Sequence, residues 1–482
     1  MFTPSLRSLW LGFLVLTCAA VSGSKPNILF IFLDDFGWKD TSYMGSDFFE
    51  TPHIDKIAAE GMVFTQAYSA SANCAPARAS LLSGQYTPRH KLYNVGTTPR
   101  GKAEHRRLEH IPGVTDLDPS IQTWAQVAQK VGYTTGTIGK WHLSDDPHPY
   151  GFDVNIGGSH SGSPPKGYYP PHPNAPGLED APEGEYLTDR LSHEAVKFIE
   201  QNADQPWLLY LTHFSVHTPI QAKHELVAQY EAKTPGDLHH NVAMATMIKS
   251  TDDGIGLIMA KLEELGISDD TAILFFSDNG GYGPATDMHP LYGYKGTYYE
   301  GGIRVPLAIR WPGRIAAGQS SDALITGVDI YPTLCEIMRA PLPGQVLDGE
   351  SILPIAQGTE PDSERAIFWH FPAYLQSYAQ TVAEQRDVLF RSRPVSVIRQ
   401  GDWKLHHFYE DNAYELYNLR EDIGESHNLT KLQPGITNRL SRQLEGWLKE
   451  TGADIPRAKN PAFDADLHAA AIKQAKAKHA SK

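Results

Sequence analysis

The chain has 482 residues, too many for one small domain, and its hydrophobic fraction of 41% is too high for a disordered polymer. Its 42 basic and 56 acidic residues leave a net charge of −14, which excludes a general nucleic-acid binder, a class that needs a basic footprint. An anionic substrate must then be met by a local cationic pocket inside a repelling field.

Residues 1–24 read MFTPSLRSLWLGFLVLTCAAVSGS: Arg7, an apolar run, then small residues. This is the pattern of a secretory signal peptide cleaved near Ser24, so the mature chain is expected to be secreted or periplasmic, with no integral membrane segment. Cys18, in VLTCAA, weakly resembles a lipoprotein box and makes a lipid anchor the minor alternative. The mature chain keeps Cys74 and Cys335. An exported protein could join them, but Cys335, beside Leu334 and Ile337 on a predicted helix, reads as a small buried apolar residue.

Asn27 to Leu33 (NILFIFL) is a continuous apolar run, as expected of a strand buried on both faces. Thr51-Pro52 opens a helix, with Thr51 as N-cap, that Gly61 closes; Val63 to Tyr68 is the next strand. A short helix begins around Pro76 and stops near Gly84. Further strands are predicted at Tyr133–Gly139, Trp207–Phe214 and Thr271–Ser277, with intervening helices, one striped by Leu187, Leu191, Ala195, Phe198 and Ile199. This alternation predicts an α/β fold: a large, mainly parallel sheet flanked by helices on both faces. Two long loops interrupt it, a basic one at 90–112 and a Pro/Gly-rich one at 159–185. Near residue 365 the pattern changes to short strands at Val395–Arg399, Trp403–Phe408 and Ala413–Leu419 and a helix with Leu440, Leu444, Trp447 and Leu448 on one face. The expected plan is a signal peptide at 1–24, a catalytic domain at 25–364, a smaller C-terminal α+β subdomain at 365–456 and a loose tail at 457–482.

Two apolar strands each end in a pair of oxygen ligands, Asp34-Asp35 and Asp278-Asn279. In open α/β sheets ligands bind beyond the carboxyl ends of the strands. If the two strands are neighbours, four hard oxygen donors meet there, and three carboxylates need a cation, Ca²⁺ or Mg²⁺ rather than zinc. Taken alone, either pair also fits an ordinary turn after a strand. Cys74, just before Pro76, sits at a helix N-terminus, where backbone N–H groups favour an anion.

The segment CAPARASLLSGQ, from Cys74 to Gln85, resembles the signature of the type I sulfatases of the alkaline-phosphatase-like superfamily. PNILFIFLDD, GKWHL, HFSVHTP, FFSDNGG and YKGTYYEGGIRVP extend the resemblance in family order from Pro26 to Pro306. Ser144 follows GKWHL where many relatives place Gly. The resemblance implies that a maturation enzyme oxidises Cys74 to formylglycine, whose hydrated aldehyde is the nucleophile. It implies that Arg78 holds that residue, that Lys140 and His142 flank it, and that His217 and Lys295 face the sulfate and the departing oxygen. Asp34, Asp35, Asp278 and Asn279 would bind one Ca²⁺, with an oxygen of residue 74 completing the shell. In that scheme the alcohol leaves as His217 donates a proton, and His142 is the base that re-forms the aldehyde.

The function so implied is hydrolysis of a sulfuric ester of a carbohydrate. Ser159-His160, Tyr168-Tyr169 and His289–Tyr292 are candidates for stacking on a sugar, or for packing. The segment Glu300–Arg304 reads as a structural turn into the strand at Pro306. Two alternatives stand beside this: a phosphonate monoester or phosphodiester hydrolase of the same superfamily, and an unmatured glycan-binding protein without catalysis.

Overall fold

A computed structural model describes residues 25–378, 386 and 388–480. The signal peptide and Cys18 lie outside these residues.

The strand Asn27–Leu33 is buried along its whole length, and its side chains divide by parity. Ile28, Phe30 and Phe32 enter one hydrophobic core, and Leu29, Ile31 and Leu33 enter another on the opposite face. It is central to an eight-stranded sheet with the order Val154–Ile156, Thr134–Gly139, Trp207–Thr212, Asn27–Leu33, Thr271–Ser277, Leu307–Arg310, Met62–Phe64, Gln319–Ser321. Only Leu307–Arg310 runs against the rest. Helices cover both faces, as the unbroken apolar runs require. The four strands from Thr134–Gly139 to Thr271–Ser277 are adjacent and parallel, and Leu33 pairs with Ser277 as Gly139 pairs with Thr212. Their carboxyl ends therefore open on one edge, where GKWH, HFSVH, DD and DN begin.

The predicted strand at Val63–Tyr68 is two strands in different sheets. Met62–Phe64 stays in the main sheet, and Ala67–Tyr68 pairs with Ile325–Thr326. The break comes at Thr65, whose carbonyl accepts two hydrogen bonds from the Arg304 guanidinium, at 3.0 and 2.7 Å. Thr51 precedes the helix Pro52–Ala59 as expected but does not cap it with its side chain. Its hydroxyl donates to Asp55 instead, and Asp252, on the helix Val242–Glu264, accepts from the amides of His53 and Ile54, each at 2.9 Å.

Beyond residue 365 lies a second, antiparallel sheet of Ala366–Phe371, Val395–Gln400, Trp403–Phe408 and Ala413–Asn418. The helix Pro434–Glu450 buries Leu440, Leu444, Trp447 and Leu448, together with Ile398, Leu405 and Leu416 of that sheet. Lys404 joins the two sheets. Buried completely, it contacts Glu425 and Glu300, each at 2.9 Å, and Glu300 opens the short helix Glu300–Ile303 that leads into Leu307–Arg310.

The tail departs from the expectation of a loose segment. The Asn460 amide donates to the Arg107 carbonyl, and residues 465–480 form the helix Ala465–Ala480. Alanine-rich sequence has the highest intrinsic helix propensity, and Asp464 caps the helix by accepting from the amides of Asp466 and Leu467. The basic loop 90–112 is the surface that anchors it.

Candidate active site

The candidate catalytic and metal-binding residues meet at the carboxyl edge of the four parallel strands. Asp34 and Asp35 follow one strand, Asp278 and Asn279 the next. Asp35 turns through the left-handed region, with φ 58°, so two successive carboxylates face the same space. His142 does the same after its strand, with φ 65°. Such backbone outliers cost on the order of 1–3 kcal/mol each and persist where surroundings over-determine them. Here the His142 amide is held by the Ser159 carbonyl at 2.9 Å, and the amide of Asp35 donates to Asp278 Oδ1 at 3.1 Å.

The carboxylate oxygens of Asp34, Asp35 and Asp278 lie within 4.8 Å of one another and are fully buried. Each is faced by one cation. Lys140 Nζ is 2.6 Å from Asp34 Oδ2, Lys295 Nζ is 2.6 Å from Asp35 Oδ1, and Arg78 contacts Asp278 Oδ2 through Nε and Nη2 at 3.1 and 2.9 Å. Arg78 is locked further by the Lys140 carbonyl at 3.0 Å and the Thr212 hydroxyl, with Phe32 beneath its guanidinium.

Two acceptors stay unsatisfied in this crowd, Asp34 Oδ1 and Asn279 Oδ1. Both are buried oxygens, so what they lack is a positive partner. Burial and then the neighbouring Asp34 push the Asp278 carboxyl well up, against the pull of Arg78. Burial acts in the same direction on Asp34, but Lys140 and His217 outweigh it and hold that carboxyl below its usual value. Three carboxylates and an amide oxygen form a hard-donor set suited to Ca²⁺ or Mg²⁺.

Cys74 is the first residue of the helix Cys74–Ser83, with Asn73 as N-cap and Gly84 as the left-handed terminator. Burial opposes ionisation of its thiol, yet Lys140, Lys295 and hydrogen bonds with His142 and His217 bring its pKa well below the ordinary thiol value. Lys295 Nζ is 3.8 Å from Sγ. Burial lowers His142 to about 4, so its imidazole is neutral near pH 7. His217 donates through Nδ1 to the Thr218 carbonyl at 2.8 Å, which turns Nε2 toward Asp35 Oδ2 at 3.9 Å. Cys335 is free and buried, its thiol pushed up to about 12 by that burial.

Several contributors had no signal in the sequence, and Tyr168 had one only as a stacking or packing candidate. Tyr168, fully buried, donates to the carbonyls of Phe214 and His217 at 2.8 and 2.9 Å and so supports the His217 turn. Gly162 lies against the His142 ring, and a Cβ there would fall 2.4 Å from Cε1. The loop 159–185 is therefore a support for two site histidines. Of the aromatic candidates, Tyr168 packs on Tyr186, whereas His160 stands beside His142, with ring centroids 6.3 Å apart. The loop 90–112 reaches the site through Asn94, which accepts from Asn73 at 3.4 Å.

Residues 26–340 match the family model described as Sulfatase. The chain belongs to the sulfatase family. Residues 289–451 of this sulfatase also match a model described as N-sulphoglucosamine sulphohydrolase, C-terminal. It is 31% identical to a sulfatase of Formosa agariphila, over 90% of each chain. It is 31% identical to human N-acetylgalactosamine-6-sulfatase, over 73% of this chain and 69% of the relative. Among solved structures, Ps i-CgsB in complex with k-i-k-neocarrahexaose superposes with a TM-score of 0.73 at 27% identity, covering 94% of this chain and 98% of that one. The parallel-sheet architecture with a C-terminal antiparallel sheet is thus that of the sulfatases, and the chain is a sulfatase enzyme.

Proposed function

We propose that this sulfatase is an exported enzyme that hydrolyses a sulfate ester of a carbohydrate. In this reading a maturation enzyme converts Cys74 to formylglycine, and one Ca²⁺ binds at Asp34, Asp35, Asp278 and Asn279. One observation carries it: three cations, a helix N-terminus and two unsatisfied buried oxygens converge on the single cysteine of the motif. The names of the relatives support a carbohydrate, since N-acetylgalactosamine-6-sulfatase and the complex with k-i-k-neocarrahexaose both concern glycans. The leader pattern at 1–24 supports export, and among the described residues no helix is long and apolar enough to cross a membrane.

When present, formylglycine supplies a hydroxyl of a hydrated aldehyde as nucleophile, and calcium supplies charge to polarise sulfate oxygens. The chain's own residues do the rest. Lys140, Lys295 and the amides that open the Cys74 helix set a fixed positive potential, already oriented before substrate arrives. Arg78 positions the helix by clamping Asp278 and the Lys140 carbonyl. His217, anchored through Nδ1, presents Nε2 to the site and in its protonated form gives a proton to the leaving alcohol oxygen. His142, neutral because it is buried, accepts a proton beside residue 74.

The test is turnover of an aryl sulfate and an aryl phosphodiester by protein from a host with the maturation system, together with the intact mass of the peptide containing Cys74. Faster sulfate cleavage by protein carrying an aldehyde at position 74 is expected. Faster phosphodiester cleavage would assign the site to the phosphonate monoester and phosphodiester hydrolases, and an unmodified cysteine in every molecule would leave a binding protein.

A further inference from the structure

Beside the Lys295 loop stands a cation that the main site does not use. Arg391, in the strand Phe390–Ser392, lays its guanidinium over the Tyr378 ring, 3.9 Å from the centroid. Its Nε is buried without a hydrogen-bond acceptor, and among the described residues no carboxylate pairs with it. A Cβ on Gly296 would fall 2.3 Å from that Nε, so the arginine lies flat on the backbone next to Lys295. Tyr378 meets Tyr282 with centroids 5.0 Å apart and Tyr294 at 5.7 Å. Tyr282 and Tyr378 are both within electrostatic reach of Asp35 and Lys295 as well as Arg391. The stacked guanidinium thus forms part of the rim of the Cys74 site.

A buried donor on a cation is unfavourable without an acceptor, and Arg391 Nε is in that state. The three cations of the site each face a carboxylate, whereas Arg391 lies on the backbone of Gly296, next to Lys295, whose Nζ is 3.8 Å from Cys74 Sγ. A planar guanidinium fork fits a sulfate or carboxylate in bidentate fashion. Next to Arg391 in the chain, Phe390 lies against Gly101, where a Cβ would fall 2.5 Å from its ring, and it lines a groove together with Arg100, Lys102, His105 and Lys478.

We infer that Arg391 is a specificity-determining residue that binds a second anionic substituent of the substrate, so that the preferred glycan carries another sulfate or carboxylate near the ester that is cleaved. The inference rests on the proposed function and deepens it. The test uses the matured full-length enzyme and carrageenan-, chondroitin- and heparin-derived disaccharides in pairs that differ by one sulfate or by one carboxylate. Each is measured as a competitive inhibitor of 4-nitrophenyl sulfate turnover. The wild type should bind the more anionic member of at least one pair about tenfold tighter or more, Arg391→Ala should erase most of that preference, and Arg391→Lys should restore part of it. Pairs differing by sulfate and pairs differing by carboxylate identify which group is read. A wild type without preference, or an Arg391→Ala loss that is equal for both members of every pair, overturns the inference. Failure of the wild type to turn over 4-nitrophenyl sulfate would count against the proposed function instead, and calorimetric binding of the same pairs would then still read the effect of Arg391.

Discussion

Cys74 is one side chain among several that a folding argument would treat as ordinary buried residues, and its chemistry comes from what surrounds it. Replacing it tests the proposed nucleophile directly. Cys74→Ala is expected to lower kcat by at least ~10³-fold while circular dichroism and the melting temperature stay close to wild type, because the change removes one buried atom from a helix whose cap and terminator remain. Substantial residual turnover would remove position 74 from the mechanism. Gly162 offers a subtler test. Alanine there would drive a methyl into His142, so Gly162→Ala should reduce kcat/KM about 10- to 100-fold with little loss of stability. Equal activity would mean that the His142 ring has room to move.

At the scale of elements, the helix Pro52–Ala59 takes its cap from Asp252, about 200 residues away in sequence, because Thr51 spends its hydroxyl on Asp55. Burial raises the Asp252 carboxyl from 3.8 to about 7, and its Oδ2 has no partner. The folded chain therefore binds this proton more tightly than the unfolded chain does. Its contribution to stability is full below the ordinary carboxylate value and declines as pH rises through about 7. Asp252→Asn keeps an acceptor for both amides and removes the charge. It should flatten the fall in stability between pH 4 and 7 by on the order of 1–4 kcal/mol, read by urea denaturation at several pH values. An unchanged slope would show that Asp252 does not titrate in that window. The same scale explains the split of the predicted strand at Val63–Tyr68. Its β-forming sequence is continuous, but the Arg304 contacts at Thr65 end one ladder and allow another to begin.

For the whole molecule, one observed cluster and one proposed ion bear on how the site's halves hold together. The first is the buried Lys404–Glu300–Glu425 cluster between the C-terminal sheet and the segment that follows Lys295. Lys404→Met would leave two buried carboxylates short of their shared cation and should destabilise the protein by about 3–5 kcal/mol in denaturant melts. A neutral effect would imply that Arg304 and Arg399, which also face Glu300, carry the charge balance alone. The second would be the proposed cation among Asp34, Asp35 and Asp278. Calcium at 100 to 1,000 times its Kd should stabilise the protein by about 2.7–4.1 kcal/mol, seen as a rise in melting temperature over EDTA-treated protein. Asp278→Ala should abolish that rise, and an equal shift in the variant would place the ion elsewhere.

What the chain order alone determined was the alternation of buried strands and helices, the oxygen ligands at the ends of two strands, and a cysteine at a helix start. These are local patterns, because a strand buried on both faces must be apolar throughout and a polar residue that follows it must lie at its end. That Asp34-Asp35 and Asp278-Asn279 would share one edge depended on strand order, which the tertiary structure decided by placing Asn27–Leu33 beside Thr271–Ser277. Gly162, Asp252 and Arg391 carried no readable signal, and Tyr168 read only as a sugar-stacking or packing candidate, since each acts through shape, ring stacking or hydrogen bonds on a partner that is not its neighbour in sequence. The tail contains the helix Ala465–Ala480, which its alanines and the Asp464 cap favour, and backbone contacts of Asn460 and Asp464 with loop 90–112 fix where it begins. Periodicity reports which face of an element is buried, and only the folded chain reports what is buried against it.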